Sequence, residues 1–200
     1  MSEDERLLDL VARFSPLGLT SHGRSKTVSY YMLAKSARHC VVELGAFRGV
    51  GTIALIAGAA AGNQANVWTL DDYVEKKGWI GEPYEPDDEV EFWKHIDECP
   101  LEWRKAFKGL IRNEARVAAK GWNDGCEPVS VLLWDLGMKD RVYDDLEVWM
   151  PRVETGGVVC GRDNGQEGLG VKAALEKLAS LGWVKDVRSY PGEIWAATKC

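Results

Sequence analysis

The stretch Val41-Val42-Glu43-Leu44-Gly45-Ala46-Phe47-Arg48-Gly49-Val50-Gly51-Thr52 decides how this chain is read: an apolar strand carrying an acid, a glycine-rich turn, then a helix. Glycine tolerates positive φ and leaves the main chain open to close approach. A helix from about Val50 to Ala61 aims its unpaired N–H groups back at the turn. That order predicts a nucleotide-like ligand beside Gly45, Gly49 and Gly51.

Spacing narrows the kind of nucleotide. Dinucleotide sites place Gly-x-Gly-x-x-Gly directly after the strand, whereas here three residues separate Gly45 from Gly49 and one separates Gly49 from Gly51. Glu43, two residues ahead of the turn, would repel a pyrophosphate and attract an ammonium. S-adenosylmethionine, a cation that carries an ammonium, suits the turn better.

Outward from the turn, strands and helices alternate. Leu7, Leu10, Val11 and Phe14 recur at helical spacing behind a Ser2/Glu5 capping box, and a second helix is expected over about Ser25 to Ala37. Strands are expected at His39–Leu44, Val67–Leu70, Gly109–Arg112, Val129–Trp134 and Gly157–Cys160. Helices are expected from Val142 to a stop at Pro151, and from Val171 to an end at Gly182. Trp183–Ser189, Pro191-Gly192 and Glu193–Thr198 read as a closing antiparallel hairpin. The fold class predicted is α/β: a doubly wound, mostly parallel seven-stranded sheet with an antiparallel C-terminal hairpin.

The chain's 200 residues suit one domain, 1–200, with N-terminal helices in 1–37. Hydrophobic residues at 46% and charged residues at 28% are globular values, which exclude disordered and fibrous classes. No apolar run approaches the ~20 residues of a membrane span. The acidic start Met1-Ser2-Glu3-Asp4-Glu5 is unlike a signal peptide, and five scattered cysteines form no disulfide framework or zinc motif, so a cytoplasmic location is expected. A net charge of −6 with dispersed basic residues disfavours a nucleic-acid partner. Segment 73–108 breaks the rhythm: it mixes Glu82, Glu85, Asp87, Asp88, Glu89 and Glu91 with Trp79, Tyr84, Phe92 and Trp93. It reads either as a solvated acidic loop leading into a helix or as a lid.

In a doubly wound sheet, ligands bind beyond the carboxyl ends of the strands. Those ends carry Glu43, Asp71 and Asp72, Glu114, Asp135, and Asp163 with Asn164. Asp71 is placed to accept both hydroxyls of a ribose.

Glu43-Leu44-Gly45-Ala46-Phe47-Arg48-Gly49, Asp71, Trp134-Asp135 with Lys139-Asp140-Arg141, Gly156-Gly157 and Asp163-Asn164 together resemble the class I S-adenosylmethionine-dependent methyltransferases. Within them the chain is most similar to the metal-dependent catechol O-methyltransferase group and related bacterial small-molecule O-methyltransferases. Gly23 and Lys26 match a Gly-x-x-Lys element of that group. The resemblance implies a cofactor held by Glu43, Gly45, Phe47, Gly49, Gly51, Thr52, Asp71, Glu114, Ala115 and Asp135. It implies Mg2+ or another divalent cation on Asp135, Asp163 and Asn164, with Lys139 as base and Lys139 and Glu193 against a small-molecule acceptor. Trp122, Met138 and Trp195 are candidate pocket walls, and Trp183 a sheet-packing residue. Lys139 stands one residue further from Asp135 than in the animal catechol enzyme, and no histidine follows His95. Two other readings therefore stay open: a metal-independent methyltransferase with Glu114 or Glu193 as base, and a non-catalytic cofactor-binding protein. Homodimerisation is also left open.

Overall fold

Cys40–Leu44 form β1, buried at every position, as a strand at the centre of a sheet covered on both faces must be. Its side chains alternate between two cores. Val41 joins Val67, Val131 and Leu133 on one face, while Cys40, Val42 and Leu44 join Leu70, Leu132 and Trp134 on the other. The computed structural model describes residues 3–14, 21–74, 84–122, 126–136, 141–162 and 170–200.

Around β1 lie β2 (Asn66–Leu70), β3 (Phe107–Ile111), β4 (Val129–Trp134), β5 (Val153–Gly161), β6 (Val184–Tyr190) and β7 (Ile194–Lys199). They form one sheet in the order β3-β2-β1-β4-β5-β7-β6, parallel except that β7 runs against both of its neighbours. The order reverses between β1 and β4, which is where a crevice opens at the carboxyl ends. Leu44 pairs with Leu70 on one side and with Trp134 on the other, so the turns after β1, β2 and β4 start at one level.

Helices α1 (Glu3–Phe14), α2 (Ser21–Lys35), α3 (Val50–Ala61), α4 (Asp88–Glu98) and α5 (Leu101–Arg104) pack on the first face. Helices α6 (Ala115–Gly121), α7 (Val142–Trp149) and α8 (Val171–Ser180) pack on the second. Several bounds differ from the sequence reading. Helix α2 begins at Ser21 rather than Ser25, β3 is Phe107–Ile111 rather than 109–112, and β5 runs back to Val153. Within 73–108, the described part from Tyr84 onward is mostly helical and built into the core through Phe92, Ile96 and Trp103, whereas 75–83, on which the choice between loop and lid turns, lie outside the described residues. No described helix is long and apolar enough to cross a membrane.

Helices α2 and α3 touch backbone to backbone. A Cβ at Gly58 would overlap the Tyr31 carbonyl oxygen, and one at Gly62 the Lys35 carbonyl oxygen. Alanine gains about 1 kcal/mol of helix propensity over glycine, but the overlap forces the helices apart at a cost of about 1–3 kcal/mol. Gly58→Ala is therefore expected to lower the unfolding free energy in a denaturant titration; equal or higher stability would show that α2 does not bear on α3 there.

Candidate functional site

The turn after β1 is held by Asp71, at the tip of β2. This carboxylate is buried; its Oδ2 accepts the N–H groups of Ala46 and Phe47, each at 2.9 Å, and its Oδ1 accepts the N–H of Tyr73 at 2.8 Å. The Tyr84 hydroxyl donates at 2.9 and 3.0 Å to the two oxygens. A carboxylate offers about four acceptor directions, so Asp71 is nearly saturated by its own chain. Burial raises its pKa against the lowering effect of these bonds. Phe47 takes a left-handed φ of 46°, and the Tyr73 hydroxyl closes the turn by donating to the Phe47 carbonyl at 2.9 Å. The Tyr84 ring stands edge-on to Phe47 and Tyr73, 5.7 Å from each.

Glu43 points the other way, beneath the turn. It is fully buried, and its Oε2 accepts the hydroxyls of Thr52 at 2.5 Å and Thr69 at 2.6 Å. Burial pushes its carboxyl up to about 8, although both threonines pull it down. The three glycines are needed by the protein itself. A Cβ at Gly45, where φ is 101°, would stand 2.6 Å from the Asp135 carbonyl oxygen. One at Gly49 would stand 2.9 Å from the Phe92 ring, and one at Gly51 would stand 2.5 Å from Glu43 Oε1. The glycine pattern thus reports close packing around the turn as well as room for a ligand.

Asp135, at the tip of β4, lies in a cationic setting. Oδ2 accepts from the Tyr30 hydroxyl at 2.9 Å and lies 3.2 Å from Lys26 Nζ; Oδ1 lies 2.5 Å from Arg162 Nε. Burial alone would raise its pKa, but Arg162 and Lys26 hold the carboxyl below the usual aspartate range. Arg162 follows β5 directly, and Lys26 and Tyr30 lie one turn apart on α2. Three elements therefore converge on one carboxylate. Of these partners, the Gly-x-x-Lys element had marked Lys26; Arg162 and Tyr30 carry no motif of their own, although Arg162 stands next to Asp163-Asn164.

At the tips of β2, β3 and β4 lies a small cleft of about 20 Å³, lined by Leu70, Ala115 and Leu136 and by the polar residues Asp71, Asp72, Asn113, Glu114, Arg141 and Asp145. Glu114 Oε1 lies 2.7 Å from Arg141 Nη2 and 3.1 Å from Arg116 Nη2. Of the residues expected to hold a cofactor, Asp71, Glu114 and Ala115 line this cleft, whereas Glu43, Gly51 and Thr52 lie behind the turn. Glu193 is exposed in the β6–β7 connection, with φ 58°, and Gly192 beside it lies against the Lys26 backbone. Trp122 packs on Trp68 and Trp149, and Trp195 is fully buried in the second core, so these two are structural among the described residues. Trp183 also packs on that core. Met138, Lys139, Asp163 and Asn164 lie outside the described residues.

Of the expected metal ligands, Asp135 alone lies among the described residues, and its own surroundings are cationic. A hard cation needs anionic or neutral oxygen ligands; both oxygens of Asp135 already face cationic or hydroxyl donors, and an entering ion would have to displace Lys26 and Arg162. The described residues contain no group of three or more His, Cys, Asp or Glu side chains arranged to hold a metal.

No family model and no curated protein matches the chain. Among solved structures, it resembles an O-methyltransferase from Bacillus cereus in complex with SAH, at 18% identity and TM-score 0.63, covering 100% of this chain and 91% of that one. It resembles CalS11, a TDP-rhamnose 3'-O-methyltransferase of calicheamicin biosynthesis, at 15% identity and TM-score 0.64, over 98% and 92% of the two chains. It also resembles an rRNA methylase from Streptococcus thermophilus, at 16% identity and TM-score 0.57, over 86% and 93%. The fold is that of the class I S-adenosylmethionine-dependent methyltransferases.

The buried Glu43 makes stability depend on pH. Its folded pKa of about 8 stands above the ordinary 4.5, so the unfolded chain loses this proton first and the folded state is destabilised as pH rises between the two values. The slope is about 1.4 kcal/mol per pH unit at most. Glu43→Gln is expected to flatten the fall in unfolding free energy between pH 5 and about 8 seen in wild type; parallel curves would show that Glu43 is ionised in the fold.

Proposed function

We propose that this protein is an S-adenosylmethionine-dependent O-methyltransferase that acts on a small molecule without a divalent cation at Asp135. The observation that carries the reading is the preformed turn at the β1/β4 reversal, bordered by a small cleft lined by apolar residues and carboxylates. On this reading the base of the cofactor lies against Leu70, Ala115 and Leu136, with Asp72 and Glu114 beside it. The likeness to an O-methyltransferase solved with SAH supports a cofactor of that kind.

A small molecule is favoured over RNA because a net charge of −6 supplies no field for a phosphate backbone. Methyl transfer needs the acceptor oxygen in line with the sulfonium methyl, and holding that geometry can supply much of the rate. The chain's contribution is to fix the turn through Asp71 and the acceptor side through the Asp135 cluster.

Tyr84 occupies the face of Asp71 that a ribose diol would take. Cofactor binding on this reading replaces the tyrosine hydroxyl by ribose hydroxyls. Isothermal titration with S-adenosylhomocysteine, the demethylated product, is expected to show one site per chain, and Tyr84→Phe to bind about fivefold more tightly, since a net hydrogen bond of about 1 kcal/mol no longer competes. No heat of binding in wild type would contradict the proposed function; unchanged affinity in Tyr84→Phe would show that the tyrosine does not compete.

A further inference from the structure

We propose that Lys26 receives the methyl acceptor, holding its hydroxyl as an oxyanion, and that the acceptors are accordingly small molecules with an acidic hydroxyl, a phenol or an enol. This rests on the methyl-transfer reading above. The Lys26 ammonium lies 3.2 Å from Asp135 Oδ2 and 5.4 Å from the centre of the Tyr30 ring, and its side chain is 26% exposed. An ammonium carries three N–H donors, and Asp135 is the one described carboxylate within ion-pair distance of it.

Its place in the fold joins the two sides of the site. Asp135 presses its carbonyl against Gly45 of the glycine-rich turn, and on the other side Gly192 of the β6–β7 connection presses against the Lys26 backbone. The Ser29 hydroxyl, donating to the Pro191 carbonyl at 3.1 Å, ties the same helix to the same connection. Lys26 is thus fixed between the turn and the β6–β7 connection, and on the methyl-transfer reading the acceptor approaches the cofactor there. Arg162 supports the other oxygen of Asp135, so the single carboxylate stands between two cations.

A fixed, partly desolvated cation favours the ionised form of a nearby hydroxyl and costs no reorganisation during reaction. As an ammonium, Lys26 stabilises the oxyanion but takes no proton from it. The proton leaves to water as the acceptor binds, which an acidic hydroxyl permits near neutral pH and an aliphatic alcohol does not. The oxyanion lone pair then forms the O–CH3 bond while the C–S bond breaks, its electrons returning to sulfur and turning the sulfonium into a neutral thioether.

The probe is 4-nitrophenol, titrated into protein saturated with S-adenosylhomocysteine, in chelator and at a pH below the phenol's own ionisation, with the phenolate absorption band as readout. Wild type and Lys26→Arg are expected to bind it as phenolate, and wild type to bind neutral 4-nitroanisole at least about tenfold more weakly. Lys26→Gln is expected to lose at least about tenfold in phenolate affinity with product affinity unchanged. The proposal is overturned if wild type binds no phenolate, if it binds the anisole equally well, if Lys26→Gln binds phenolate like wild type, or if binding requires added Mg2+. The anisole comparison needs no variant and holds even if Lys26→Gln does not fold. Failure of S-adenosylhomocysteine itself to bind would instead strike the methyl-transfer reading.

Discussion

A carboxylate is not buried at the rim of a sheet without counter-charge, and Asp135 has two. Removing an ion from water costs several kcal/mol, and the ionised form survives burial only where close, well-placed partners offset that cost. Lys26, Arg162 and the Tyr30 hydroxyl supply them from α2 and from the end of β5. Helix α2 is thereby tied to the end of β4, and further along it Tyr31 and Lys35 meet α3 closely enough to require Gly58 and Gly62. Removing either cation alone would leave the other to support the charge; removing both would strand it, at a cost of about 3–5 kcal/mol.

The other acids in the row work in the same inward sense. Asp71 arranges the turn through two backbone N–H groups, and Glu43 closes the space beneath it between two threonines. A turn set in advance loses little entropy when a ligand arrives. The carboxylates that line the cleft are Asp71, Asp72, Glu114 and Asp145, with Glu114 paired to Arg141 and Arg116. The buried acids thus shape the turn from within.

Much of the fold is legible in the sequence because its central strands are apolar on both faces. Val41 to Leu44 and Val129 to Trp134 have no other use in a folded chain of this size. The edge is less legible: β3 is only half-buried, and Gly109 within it masks the pattern that would place its start at Phe107. Helix α6, seven residues rich in alanine, is too short to show a period. At the site, the acids are readable because each ends a strand, but their partners are not. Lys26 and Asp135 stand 109 positions apart, and an arginine before Asp163 looks like any surface cation until the sheet brings it to Asp135. The resemblance to metal-dependent enzymes rests on the acids, and nothing in the pattern announces the cations that pair with Asp135.

The most direct measurement is a crystal structure of the S-adenosylhomocysteine complex grown with manganese, read by anomalous scattering at the tip of β4. The account predicts Lys26 and Arg162 on the two oxygens of Asp135, with the product against the glycine-rich turn and no anomalous peak within bonding distance of Asp135. A manganese ion bound by Asp135, with Lys26 and Arg162 displaced from it, would contradict the account.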